Sequence, residues 1–135
     1  MLLVDTNVLV DVLENDAEWA DWSIAQLRAQ SKIHQLAINP IIHSEMSLTF
    51  STVEALDQAI EDLGLVMLEL PRPALFLAGK AFVRYRRQRG TKSNVLADFF
   101  IGAHAAVSEY PLLTRDTQRY SAYFSDVQLI SPERA

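Results

Sequence analysis

Five short apolar runs, each separated from the next by helix-forming stretches, decide most of what this chain can become. Leu2-Leu3-Val4, Leu36-Ala37-Ile38, Val66-Met67-Leu68, Leu112-Leu113-Thr114 and Val127-Gln128-Leu129-Ile130 have the length and side-chain shape of strands. The first is apolar at every position, the pattern of a strand buried on both faces in the middle of a parallel sheet. Strands alternating with helices predict a three-layer α/β/α sandwich with a mainly parallel five-stranded sheet and right-handed crossovers. The 135 residues, half of them hydrophobic, with only 4 Gly and 5 Pro, are expected to form one domain over 1–135, because a chain of this size buries about two thirds of its unfolded surface.

The helices are placed by their apolar spacing and their caps. Thr6 or Asn7 can cap a helix over Val8 to Leu13, whose polar face holds Asn7, Asp11 and Glu14. A second helix is expected over Ala17 to Leu27 behind Asp16, with Trp19 and Trp22 packing. Asn39-Pro40 opens a third, from Ile41 to about Phe50, with Ile42, Met46 and Thr49 on its stripe and Glu45 at the border of the buried side. Thr52 to Leu63 places Val53, Leu56, Ala59/Ile60 and Leu63 in phase and stops at Gly64. Ala74 to Arg89 should turn Leu75, Ala78, Phe82 and Tyr85 inward, and it ends in a basic run before the loop and cap Gly90 to Asn94. Val95 to about Ser108 and Thr117 to Tyr123 complete the set.

Composition narrows the chemistry. Without cysteine, disulfides and thiolate metal sites are excluded. Met1-Leu2-Leu3-Val4 meets Asp5 too soon for a cleavable signal, and no apolar run has membrane-spanning length, so a cytoplasmic protein is expected. A net charge of −5 argues against a general nucleic-acid coat. A local basic patch remains open to phosphates. Arg84, Arg86, Arg87, Arg89 and Lys92 are either a solvated helix end or a phosphate contact.

Four acids fall at one edge of the expected sheet. Asp5 ends the first strand, Glu45 lies early in the helix after the second, Asp98 is one turn into the helix from Val95, and Asp116 follows the fourth strand. Ligands in open α/β sheets gather at the carboxyl ends of strands. Asp98 is the most demanding, because its helical neighbours Val95, Ile101, Gly102 and Ala105 are apolar or small. A carboxylate on such a face costs several kcal/mol unless it is paired or metal-bound. Hard oxygen ligands around one pocket suit Mg²⁺ or Mn²⁺, which would activate water and neutralise a phosphoryl group.

These residues carry a resemblance that spans nearly the whole chain. Leu3-Val4-Asp5-Thr6-Asn7-Val8-Leu9, Ser44-Glu45, the run Leu96 to Ala105 and Leu113-Thr114-Arg115-Asp116 resemble, in order and spacing, the motifs of PIN-domain proteins, specifically the VapC toxins of bacterial toxin–antitoxin pairs. The resemblance implies a Mg²⁺- or Mn²⁺-dependent endoribonuclease acting on a structured RNA such as tRNA or rRNA, a VapB-type antitoxin partner and a homodimer. It puts Asp5, Glu45, Asp98 and Asp116 at the acidic metal-site positions, with Thr6, Asn7 and Thr114 as supporting polar groups. The Asp116 position varies in the family and serves the first metal, a water or a second ion.

Each residue also has a plainer reading: Asp5 as a helix cap, Glu45 as a solvated acid, Asp116 as a turn residue. His34, His43 and His104 share no ligand spacing and read as structural or surface residues, and Tyr120, Tyr123 and Phe124 as core or interface packing. A phosphatase of the haloacid-dehalogenase type wants a second acid where this chain has Asn7, and a receiver-like domain wants an acceptor Asp where it has Glu69-Leu70-Pro71. A PIN-like module that binds RNA or a protein partner without cutting is the remaining alternative.

Overall fold

The computed structural model describes residues 1–88, 90–92 and 95–132. Arg89 of the basic run and Ser93 and Asn94 of the expected cap lie outside them. The order is β1 (Leu2–Val4), α1 (Thr6–Leu13), α2 (Ala20–Ser31), β2 (Leu36–Ile38), α3 (Pro40–Met46), α4 (Val53–Asp62), β3 (Val66–Met67), α5 (Arg72–Arg87), α6 (Leu96–Ser108), β4 (Leu112–Leu113), α7 (Gln118–Tyr123) and β5 (Leu129–Ile130). The strands form one sheet in the order β3-β2-β1-β4-β5, parallel throughout, with helices on both sides. The three-layer α/β class expected from the alternating runs is the one found.

This strand order fixes where a site can form. The chain builds outward from β1 to β2 and β3, then returns to the other side of β1 with β4 and β5. The switch point therefore lies between β1 and β4, where Val4 pairs with Leu113, and crevices at such points are where open α/β sheets bind ligands. Leu2, Leu3 and Val4 are fully buried, each contributing about 1.5–3 kcal/mol relative to exposure. The uniformly apolar run is thus explained by burial on both faces.

Several boundaries differ from the sequence reading. The N-cap of α1 is Asp5, whose carboxylate accepts from Thr6 N, rather than Thr6 or Asn7. The first turn expected before Trp19 is diverted, because the Asp16 carboxylate accepts from Glu18 N and Trp19 N and holds a turn there, so α2 starts at Ala20. Trp19 and Trp22 do pack, edge to face with centroids 6.2 Å apart. Helix α3 ends at Met46 and tightens into a 3₁₀ turn over Ser47–Thr49. In α5 the buried stripe is Ala74, Ala78 and Ala81, while Leu75 is exposed. Small side chains there let α5 lie close against α6, with Phe82 and Tyr85 meeting Phe99 at the edge. Val53, expected on the apolar stripe of α4, is also exposed.

Gly102 sets how α7 is seated. The Phe124 ring occupies the space a β-carbon at residue 102 would need, so the chain leaving α7 rests directly on α6. That contact brings Arg119 and Tyr120 to the carboxyl edge of the sheet.

Candidate active site

Asp5 is held from every side. Its backbone N–H donates to Leu113 O at 2.9 Å, the last rung between β1 and β4, and its carbonyl accepts from Val8 N. Oδ1 accepts from Thr6 N at 2.8 Å. Oδ2 accepts from Thr114 Oγ1 at 2.8 Å, from Tyr120 OH at 3.0 Å and, more loosely, from Asn7 Nδ2 at 3.4 Å. The side chain is buried, and desolvation raises its pKa to about 7 despite these donors, with the charge of Asp98 adding to the rise. Burial in turn holds the Tyr120 phenol well above its ordinary value, as does the Asp5 charge, so it stays a donor.

The supporting residues are distributed by the cap. Because Asp5 caps α1, the side chains of Thr6 and Asn7 are free for the crevice. Thr6 Oγ1 donates to Glu45 Oε1 at 2.7 Å, tying the first turn of α1 to α3. Asn7 Oδ1 accepts from Arg115 N at 3.2 Å. Thr114 is fully buried and its Oγ1 accepts from Asp116 N at 3.0 Å, which fixes the turn after β4. Thr114 therefore links Asp5 to Asp116.

Asp98 has found a cation. Arg119 Nη1 donates to its Oδ2 at 2.6 Å, and both side chains are partly exposed. Desolvation still raises the Asp98 pKa; Arg119 opposes the rise, and the charges of Asp116 and Glu45 add to it. The four acids line one cleft of about 380 Å³, together with Thr6 and Asn7 among others.

The donor set is hard oxygen throughout, and its mutual repulsion is what a divalent cation would relieve. Among the described residues no three Asp, Glu or His side chains stand in a closed ligand cage. One oxygen each of Asp5, Glu45 and Asp98 is instead held by a hydroxyl or a guanidinium. The residues suit a hard cation in chemistry and charge.

The family model for the PIN domain matches residues 2–125. The chain belongs to the PIN-domain family. Among solved structures it is similar to VapBC2 from Rickettsia felis bound to a DNA fragment from its promoter, at 15% identity over 98% of both chains with a TM-score of 0.74. VapBC-1 from nontypeable Haemophilus influenzae matches at 18% identity over 96% of both chains, TM-score 0.71. A toxin–antitoxin complex from Klebsiella pneumoniae matches at 20% identity over the whole of both chains, TM-score 0.65. At these identities the likeness is one of fold. A search of curated proteins finds no match.

Four residues beside this PIN domain's acids, Asp11, Arg115, Arg119 and Tyr120, were not among the site residues expected from sequence. Asp11, expected on the polar face of the first helix, is buried; Arg115 grips it through Nε at 2.6 Å and Nη2 at 2.9 Å, and Ser23 Oγ donates to it at 2.8 Å. Arg119 and Tyr120 reach Asp98 and Asp5 from α7. Tyr120 is core, as expected, but its hydroxyl belongs to the crevice. The visible signal was the closeness of Arg115, Arg119 and Tyr120 to Asp116, since a buried acid needs donors. Arg84, Arg86, Arg87 and Lys92 are exposed, and Tyr85 beside them carries the Arg119 guanidinium 6.0 Å over its ring. The basic turn of α5 therefore borders the Asp98 side of the cleft. His104 is structural: it is buried, burial lowers its pKa, and Nδ1 meets Asn39 Nδ2 at 3.1 Å, while Asn39 Oδ1 caps α3.

Proposed function

We propose that this PIN domain is a divalent-metal-dependent endoribonuclease, the toxin of a toxin–antitoxin pair, which cuts a structured RNA such as tRNA or rRNA and so inhibits translation. It acts as a single domain over 1–135, pairs as a homodimer, works in the cytoplasm and is restrained by a VapB-type antitoxin. The observation that carries this reading is the convergence of Asp5, Glu45, Asp98 and Asp116 on one cleft at the switch point of a parallel sheet. The toxin–antitoxin complexes among its structural neighbours support the protein partner, and among the described residues no helix is long and apolar enough to cross a membrane.

In this mechanism Asp5 and Asp98 would hold Mg²⁺ or Mn²⁺, Glu45 would complete the acidic site and orient or deprotonate the attacking water, and Asp116 would assist. When bound, the ion supplies an activated water and neutralises charge on the phosphoryl group. Thr6 aims Glu45 through its 2.7 Å hydrogen bond, and Thr114 and Asn7 orient Asp5. Arg84, Arg86, Arg87, Arg89 and Lys92 hold the RNA backbone, offsetting the acidic total.

A second reading is a module that binds RNA or a protein without cutting, favoured by the ion pair that Arg119 makes with Asp98. Inducible expression with sequencing of cleaved RNA ends separates the two. New ends at defined sites and growth arrest, both lost in soluble Asp5→Ala and Asp98→Ala, are expected. Arrest that survives both substitutions removes the nuclease reading.

A further inference from the structure

The two arginines beside the cleft bind their acids in different ways. Arg115 closes its planar fork on both oxygens of Asp11, which is 4% exposed and also bonded by Ser23. Such a pair is held at two points on a buried acid whose oxygens are both satisfied, although Arg115 itself is 26% exposed. Arg119 makes a single contact, Nη1 to Asp98 Oδ2, with side chains 21% and 28% exposed. A one-point pair on a partly exposed acid is readily exchanged. Its guanidinium also has a second support, the Tyr85 ring, 6.0 Å away.

The position of Arg119 gives the exchange a purpose. Asp98 shares its cleft with three further acids. Arg119 is followed directly by Tyr120, which holds Asp5, so consecutive residues of α7 secure two of the four carboxylates. A part-buried acid among like charges costs stability unless a cation compensates it. Arg119 supplies that cation from within the chain.

We infer that Arg119 is a resident counter-ion of the metal site: it neutralises Asp98 when no divalent cation is bound and yields that carboxylate when one enters, swinging onto Tyr85. This rests on the proposal that Asp98 is a metal ligand. Arg119 is then a positioning residue that sets metal affinity, and the cost of displacing it makes occupancy of the site depend on the divalent-ion concentration.

The test is calorimetric titration with Mn²⁺ of the chelator-treated wild type, Arg119→Gln and Arg119→Lys at fixed pH and ionic strength, with Tm measured with and without Mn²⁺. Removing the competing charge should tighten Mn²⁺ binding of Arg119→Gln about fivefold, the upper end for a partly exposed pair. Arg119→Lys, which keeps the charge and loses the planar guanidinium over Tyr85, should tighten it about twofold and carries the comparison should the Gln variant fail to fold. The Mn²⁺-induced rise in Tm should follow the same order. General damage to the fold would weaken binding rather than strengthen it. Equal or weaker binding in the variants overturns the counter-ion role and leaves the metal site standing. Absence of Mn²⁺ binding in all three proteins overturns both.

Discussion

The Tyr120 hydroxyl donates to Asp5 Oδ2 at 3.0 Å across 115 positions of sequence. A hydrogen bond to a charged acceptor is worth about 1.5–3 kcal/mol, and less when the acceptor is neutral. Tyr120→Phe should therefore destabilise the metal-free protein more at pH 8.5 than at pH 6, the Asp5 pKa being about 7. Chemical denaturation of both proteins at the two pH values measures the difference. An equal loss at both would show that the hydroxyl does not serve the ionised carboxylate.

Asp5 also gives the metal-free protein a definite pH dependence. Its pKa is about 7 when folded against an ordinary value of 3.8, so between these values the folded state keeps a proton that the unfolded chain has released. The stabilisation is complete below the ordinary value and is lost as pH rises through about 7. Asp98, raised for the same leading reason, adds in the same direction. Tm should fall from pH 4.5 to pH 7.5, by an amount equivalent to a few kcal/mol at most. Asp5→Asn should flatten most of that slope.

The Asp11–Arg115 pair is expected to be scaffold. Asp11→Asn keeps a partner for Ser23 but strips Arg115 of its counter-charge, at a cost of about 3 kcal/mol, the lower end for breaking a buried pair. Tm should drop accordingly, while the Tm rise on adding Mn²⁺ persists. Loss of that rise would move Asp11 into the metal site.

For the basic turn of α5, the measured quantity is salt dependence. If Arg86 and Arg87 meet phosphates, the double substitution to Ala should lower the slope of log affinity against log salt by about 1.4, roughly 0.7 per contact for single-stranded RNA. Mn²⁺ affinity should not change. An unaltered slope returns both arginines to the solvated helix end.

Gly102→Ala tests the seating of α7. Alanine is better than glycine in a helix by about 1 kcal/mol, but its methyl would overlap the Phe124 ring, and overpacking costs about 1–3 kcal/mol. A net loss of stability is expected. A gain in stability would show that Phe124 yields freely.

The sequence alone determined the class of this fold and the rim of its cleft. Leu2-Leu3-Val4 reads as an interior strand, and the acid that ends it, like Glu45, Asp98 and Asp116, falls at the carboxyl edge by counting elements. Local rules suffice for this, since helical and strand periods and the direction of a parallel strand are set by neighbours in sequence. Local rules failed where two residues competed for one task, as when Asp5 rather than Thr6 or Asn7 capped α1. Only the tertiary structure decided which donor meets which acid. Tyr120 on Asp5, Arg119 on Asp98 and Arg115 on Asp11 span 115, 21 and 104 positions. The seating of α7 on Gly102 and the turn after β4 that Thr114 fixes bring these donors within reach of their acids. A buried charge requires a partner but does not specify it by spacing, because the partner is selected by which surfaces pack.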